Sequence, residues 1–130
     1  MVCLESDFII AFTRKDSAAS LKMEALLKQN RTLFITPITA AELFEGAFGS
    51  KETGSIMKLE ELLSTFQMLE FDFFASKNAG QLMHELSGRG EKIGDLDTLT
   101  AAIALKHNQA LVTRNKKHFS KVAGLKIEEW

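Results

Sequence analysis

The sequence predicts an α/β domain with a mainly parallel central sheet. Short apolar, strand-like runs alternate along the chain with longer stretches of helical period. No repeat, low-complexity tract or Pro/Gly/Ser-rich linker interrupts its 130 residues, so one domain over residues 1–130 is expected. Strands separated by helices pair in parallel, because each crossover helix packs back onto the sheet.

In chain order, Val2 to Leu4 reads as a strand and Phe8 to Phe12 as the apolar start of a short helix. Asp16 and Ser17 offer an N-cap for a second helix, in which Ala19, Met23, Leu26 and Leu27 keep helical spacing. Thr32 to Thr36 (TLFIT) reads as a strand, and Pro37 marks a turn. Thr39 opens a helix with Leu43, Ala47 and Phe48 inward, and Ser55 another with Ile56, Leu59, Leu63 and Phe66 on one face. Met68 to Phe71 is a weak strand. Asp72 caps a helix carrying Ala75, Ala79, Leu82, Met83 and Leu86, and Gly88 to Gly94 is a loop. Leu96, Leu99, Ile103 and neighbouring alanines mark a buried helix ending near His107 and Asn108. Ala110 to Thr113 (ALVT) is a strand, and Leu125 to Ile127 a last, edge-like one.

Composition narrows the functional classes. Apolar residues at 45% fill one core, and charged residues at 25% match an ordinary soluble protein rather than a disordered one. No stretch approaches the ~18 apolar residues of a membrane span, and Glu5 and Asp7 interrupt the N-terminal apolar run that a signal peptide needs. The single cysteine, Cys3, lies in an apolar run and reads as a buried thiol, which fits a reducing, cytoplasmic compartment. A net charge of −1 excludes the overall basic footprint of a tight nonspecific DNA binder. Contact with nucleic acid would have to be local or metal-mediated.

Active sites of parallel sheets lie beyond the carboxyl ends of the strands, and acids gather at those places. Glu5, Ser6 and Asp7 follow the first strand. Glu42 follows TLFIT in the string Thr39-Ala40-Ala41-Glu42. Asp95 and Asp97 stand in GDLDTLTAAIAL, and Arg114 and Asn115 follow ALVT. Each acid has a purely structural explanation as well: Thr39-x-x-Glu42 is a capping box, Asp95 an N-cap, and Asp97 a first-turn aspartate that suits the helix dipole. Together with Asn115 they come from four places converging on one sheet edge, where carboxylates repel unless a cation neutralises them. Oxygen donors without a Cys/His pairing favour Mg²⁺ or Mn²⁺ over zinc. His84 and His107 read as helix residues. His118, beside Lys116, Lys117 and Phe119, reads equally as a phosphate contact or a solvated basic turn. Gly88, Gly90 and Gly94 match no P-loop or dinucleotide fingerprint, and no Gly-x-Ser-x-Gly or Cys/His pair supports a covalent nucleophile.

CLESDFIIAF resembles the opening of PIN-domain nucleases, particularly VapC-type toxins of toxin–antitoxin pairs. ITAAELFEGA resembles that family's second acidic motif, GDLDTLTAAIAL its third, and LVTRNKKHF with GLKIEEW its C-terminal segment. The four motifs stand in the family's order across nearly the whole chain. The resemblance implies a three-layer α/β/α fold and metal-dependent endonucleolytic hydrolysis of RNA with Mg²⁺ or Mn²⁺. Position by position it places Glu5, Glu42 and Asp97 on the metal-binding acids, with Asp95 an additional acid. Asn115 falls on the fourth position and Thr113 on a supporting polar residue, and Ser6 and Asp7 flank the first acid. Arg114, Lys116 and Lys117, with Arg89 and Lys92 before Asp95, read equally as contacts for flanking phosphates or as a solvated basic surface. A homodimer and a small antitoxin partner are also implied, with apolar surface around Phe44, Phe48, Ile56, Leu59 and Phe66. Two positions depart from the family: Glu5 stands where aspartate is usual, one methylene longer, and Thr100 replaces an aliphatic residue. The competing expectations are a non-catalytic module of the same fold and another metal-dependent phosphoryl hydrolase.

Overall fold

Five strands and seven helices alternate in a computed structural model that describes residues 1–130. The strands are β1 (Val2–Leu4), β2 (Leu33–Ile35), β3 (Gln67–Met68), β4 (Ala110–Val112) and β5 (Ile127–Glu128). All pair in parallel in the spatial order β3-β2-β1-β4-β5. The chain builds outward from β1 to β3 and then crosses to β4 on the other side. The strand order therefore reverses between β1 and β4, which opens a crevice at their carboxyl ends.

The helices are α1 (Ser6–Thr13), α2 (Ser17–Lys28), α3 (Pro37–Gly49), α4 (Ser55–Leu63), α5 (Phe73–Gly88), α6 (Asp95–Lys106) and α7 (Lys116–Phe119). Successive strand residues point to opposite faces, and β1 shows how this makes three layers. Val2 and Leu4 pack with Phe8, Ile9, Met23 and Leu43 from α1, α2 and α3. Cys3, between them, packs with Ala79, Leu86 and Ile103 from α5 and α6. The expected buried thiol is borne out: Cys3 is fully buried, and burial, followed by the nearby Glu5 charge, pushes it up to about 12.

Two expected caps hold. Asp16 accepts from Ala19 N and Asp72 from Ala75 N, both at 2.9 Å. A third is displaced: α3 opens at Pro37, and its N-cap is Thr36, whose hydroxyl accepts from Thr39 N at 3.0 Å. Proline is well suited to the first helical position, because its missing N–H would find no partner there. Pro37 thus begins the helix rather than marking a separate turn, Thr39 is not the cap, and the capping-box explanation of Glu42 fails. Asp95 is likewise the first residue of α6, with Gly94 as its N-cap.

Further differences lie on surfaces. Phe48, Leu27 and Leu96 were expected inward and stand 75%, 58% and 49% exposed. Each keeps helical period but lies at the margin of its helix's buried face. β3 is shorter than the expected strand and begins one residue earlier, β5 begins two residues later than expected, and Gly88 belongs to α5. No helix is long and apolar enough to cross a membrane.

Candidate active site

The site is built on the β1–β4 crevice. Glu5 N donates to Val112 O at 3.1 Å, so the sheet ladder itself pins Glu5 at the carboxyl edge. Glu5 is the N-cap residue of α1 yet makes no side-chain cap bond, which leaves its carboxylate free for other partners. Ser6 Oγ donates to Glu5 Oε1 at 2.8 Å and lies 3.4 Å from Glu42 Oε1, so one hydroxyl links acids 37 residues apart in sequence, on α1's cap and on α3. Thr113, directly after β4, has its Oγ1 3.2 Å from both Glu5 Oε2 and Asp7 Oδ2. Arg114 N donates to Asp7 Oδ2 at 3.0 Å, and Asn115 N donates to Thr113 Oγ1 at 3.0 Å.

Asp97 enters from the first turn of α6. His118 Nδ1 lies 3.3 Å from Asp97 Oδ2 and 2.9 Å from the Asn115 carboxamide. A proton on Nδ1, with the carboxamide turned to offer its oxygen, satisfies all three groups. The short helix α7 makes this possible by carrying His118 back over the crevice. No pattern in the chain announces α7, because four residues are too few to show an apolar period.

Electrostatics tie the acids into one unit. Glu5 is raised from 4.5 to about 8, first by burial, then by its hydrogen bond to and charge repulsion from Asp7, with Asp97 adding to the rise and the Ser6 hydroxyl opposing it. Burial also raises Glu42, with further repulsion from Asp97, Glu45 and Asp7. Burial is thus the main reason that both acids hold their protons, and the neighbouring carboxylates add to it. Asp7 Oδ1 is buried with no hydrogen-bond partner, a costly state for an acceptor.

Glu5, Ser6, Asp7, Glu42 and Thr113 are thus joined directly, and Asp97 through its charge on Glu5 and Glu42. Asn115 reaches the group through Thr113 and His118. Asp95 is not brought in: it is exposed and lines a separate cavity of about 290 Å³ with His84 and Lys92. Lys116 pairs with Glu129 at 3.5 Å, Lys117 is exposed, and Arg89 donates to Lys121 O. Sequence reasoning missed His118's reach to Asp97 and the stacking of Arg114 on Trp130, 3.6 Å from the ring centre.

The donor chemistry fits a hard divalent cation: several carboxylate oxygens, an orphaned acceptor on Asp7, and a proton on Glu5 that a cation would replace. In the isolated chain no three His, Cys, Asp or Glu side chains converge as a ready metal-binding group. Glu5 instead turns its oxygens to the hydroxyls of Ser6 and Thr113.

A family model described as PIN domain matches residues 2–125. The chain is 31% identical over 123 residues to the tRNA(fMet)-specific endonuclease VapC of Shigella flexneri, covering 94% of this chain and 92% of that one. It is 36% identical over 106 residues to ribonuclease VapC2 of Rickettsia felis, covering 81% and 79%. Among solved structures it superposes on VapBC2 of Rickettsia felis, bound to a DNA fragment from the promoter, with a TM-score of 0.88. That match has 32% identity and covers 100% of this chain and 99% of the other.

Proposed function

The chain belongs to the PIN-domain family, and on that footing we propose that it is an endoribonuclease, the toxin of a toxin–antitoxin pair. The carrying observation is the carboxylate group at the β1–β4 crevice, in which Glu5 and Glu42 share the Ser6 hydroxyl and Glu5 holds its proton to about 8.

Glu5, Glu42 and Asp97 would hold a divalent cation, Mg²⁺ or Mn²⁺, with Asp7 Oδ1 a further donor within the same hydrogen-bonded unit. Asp95 remains an outer acid at most. A bound cation of this kind lowers the pKa of water and neutralises charge on a phosphate oxygen. The chain's own residues do the rest. Ser6 and Thr113 orient the Glu5 carboxylate through opposite oxygens. The Arg114 N–H fixes Asp7, and His118 with Asn115 fixes Asp97. The Arg114, Lys116 and Lys117 side chains lie at the same sheet edge, where a phosphate backbone would pass. Local cations and a metal let a chain of net charge −1 act on RNA.

The relatives' setting extends the reading to partners. A small antitoxin, a homodimer and a cytoplasmic location belong to it. The exposed Phe48 and Met57, on α3 and α4, offer the apolar surface that such a partner needs. The test is cleavage of end-labelled RNA by the purified chain with Mg²⁺, Mn²⁺ or EDTA, beside Asp97→Ala. Internal cuts that need metal and Asp97 are expected. Metal binding without cleavage would instead favour a non-catalytic module, and equal cleavage by Asp97→Ala would remove the nuclease reading.

A further inference from the structure

Beside the carboxylates lies a groove of about 400 Å³, lined by Asp7, Arg14, Asp16, Arg114, Trp130 and the apolar side of α1. It is continuous with the site, since Asp7 Oδ2 accepts from Thr113, which also bonds Glu5. Its floor is built with care. The Trp130 ring packs edge-on to the buried Phe8 at 5.4 Å, and the Arg114 guanidinium lies over its face, 3.6 Å from the centroid. Asp16 steadies Arg114 from the side at 3.6 Å. The Arg114 side chain remains 54% exposed, so its outer surface stays open. Arg14, exposed at the end of α1, adds a second positive charge at the rim.

Two polar atoms of this groove are buried without a partner: the acceptor Asp7 Oδ1 and the donor Trp130 Nε1. Asp7 Oδ1 is assigned to the cation above, which leaves Trp130 Nε1, whose cost a ligand offering an acceptor would relieve. A nucleotide carries such acceptors on its base, ribose and phosphate. RNA bases stack on guanidinium planes and aromatic rings, and Arg14 and Arg114 supply charge for the accompanying phosphate.

We propose that this groove is a nucleotide subsite, in which one RNA base next to the cut phosphate stacks on the Arg114–Trp130 pair. The proposal rests on the nuclease reading for the identity of its ligand, and it makes Arg14, Arg114 and Trp130 determinants of where RNA is cut.

Trp130 is the chain's one tryptophan, and there is no tyrosine, so intrinsic fluorescence reports on this groove. Short single-stranded RNA of mixed sequence, titrated into the whole chain in EDTA, should change that fluorescence saturably. Arg14→Ala should shift the midpoint roughly ten-fold upward, and so should the same backbone made without bases. Circular dichroism checks that the variant is folded. No fluorescence change, or a change indifferent to both alterations, overturns the subsite. So does a signal that follows a basic peptide but not RNA, which would make the groove a partner-peptide site. Metal-dependent cleavage with an unmoved signal removes the subsite and leaves the nuclease. An RNA-dependent signal without cleavage removes the nuclease and leaves an RNA-binding groove.

Discussion

Glu5 and Glu128 are the same side chain at the carboxyl ends of two strands of one sheet, with β4 between them, and their protons are held in opposite ways. Glu128 receives Arg31 Nη1 at 2.9 Å and Lys22 Nζ at 3.0 Å. Its proton affinity falls, first through the Arg31 hydrogen bond, with Lys22 adding to the effect against the opposing pull of burial. Glu5 has no such cation; burial and the neighbouring Asp7 raise it to about 8. The folded chain supplies a counterion to one carboxylate and none to the other. The first arrangement is what a structural tie between β5, α2 and the segment before β2 requires. The second suits the proposed cation site, because a built-in lysine or arginine would compete with a metal there.

The comparison breaks most sharply by mutation. Asp97→Ala should lower RNA cleavage by about two to three orders of magnitude while keeping the fold, since it also relieves repulsion on Glu5 and Glu42. Glu128→Gln should do the reverse. Cleavage should be retained, and thermal unfolding should show a loss of about 1 kcal/mol, a modest figure because the ion pairs are partly open to solvent.

Acidity sharpens the contrast next. An acid whose folded pKa is raised binds more protons folded than unfolded, so its contribution to stability falls as pH rises. For Glu5 that fall runs from its ordinary 4.5 up to about 8, and Glu42 acts in the same direction. Glu128 is depressed, so its stabilisation is present above its ordinary value and is lost as pH falls through the lowered one. Melting of the metal-free protein across pH should therefore weaken on both sides. Glu5→Gln should flatten only the alkaline side and Glu128→Gln only the acid side.

The smallest expected effect concerns the extra methylene of Glu5. Glu5→Asp should raise Mg²⁺-dependent cleavage several-fold and narrow the advantage of Mn²⁺, because Mg²⁺ demands the stricter geometry. If Asp7, with its orphaned Oδ1, is the main ligand instead, Glu5→Asp will change little and Asp7→Ala will be the damaging substitution.

The fold was legible because its signals are local. Val2 to Leu4, Asp16 and Asp72 each announce an element within a few residues. Glu5 and Asp97 were legible for a different reason: one follows a strand and the other lies in the first turn of a helix, and parallel topology carries such positions to one edge. Glu42, by contrast, lies in the second turn of α3. Less legible was whatever depended on position across space. Thr36, not Thr39, caps α3, and Pro37 at the first helical position is the feature of the chain that marks it. Asp95 shares the local sequence of Asp97 but lies two residues round the helix turn, which aims it elsewhere. His118 meets Asp97, and Trp130 meets Arg114, only through tertiary packing, and no spacing in the chain encodes either pairing.

The most direct test of the carboxylate site is a calorimetric titration of Mn²⁺ into the wild-type chain near neutral pH, repeated in two buffers of different ionisation enthalpy. With Glu5 raised to about 8, the cation should bind and displace a proton, so the apparent heats in the two buffers should differ. In Glu5→Gln that buffer dependence should largely vanish. An absence of binding, or binding with identical heats in both buffers for the wild type, would contradict the account of Glu5 as a protonated ligand awaiting a metal.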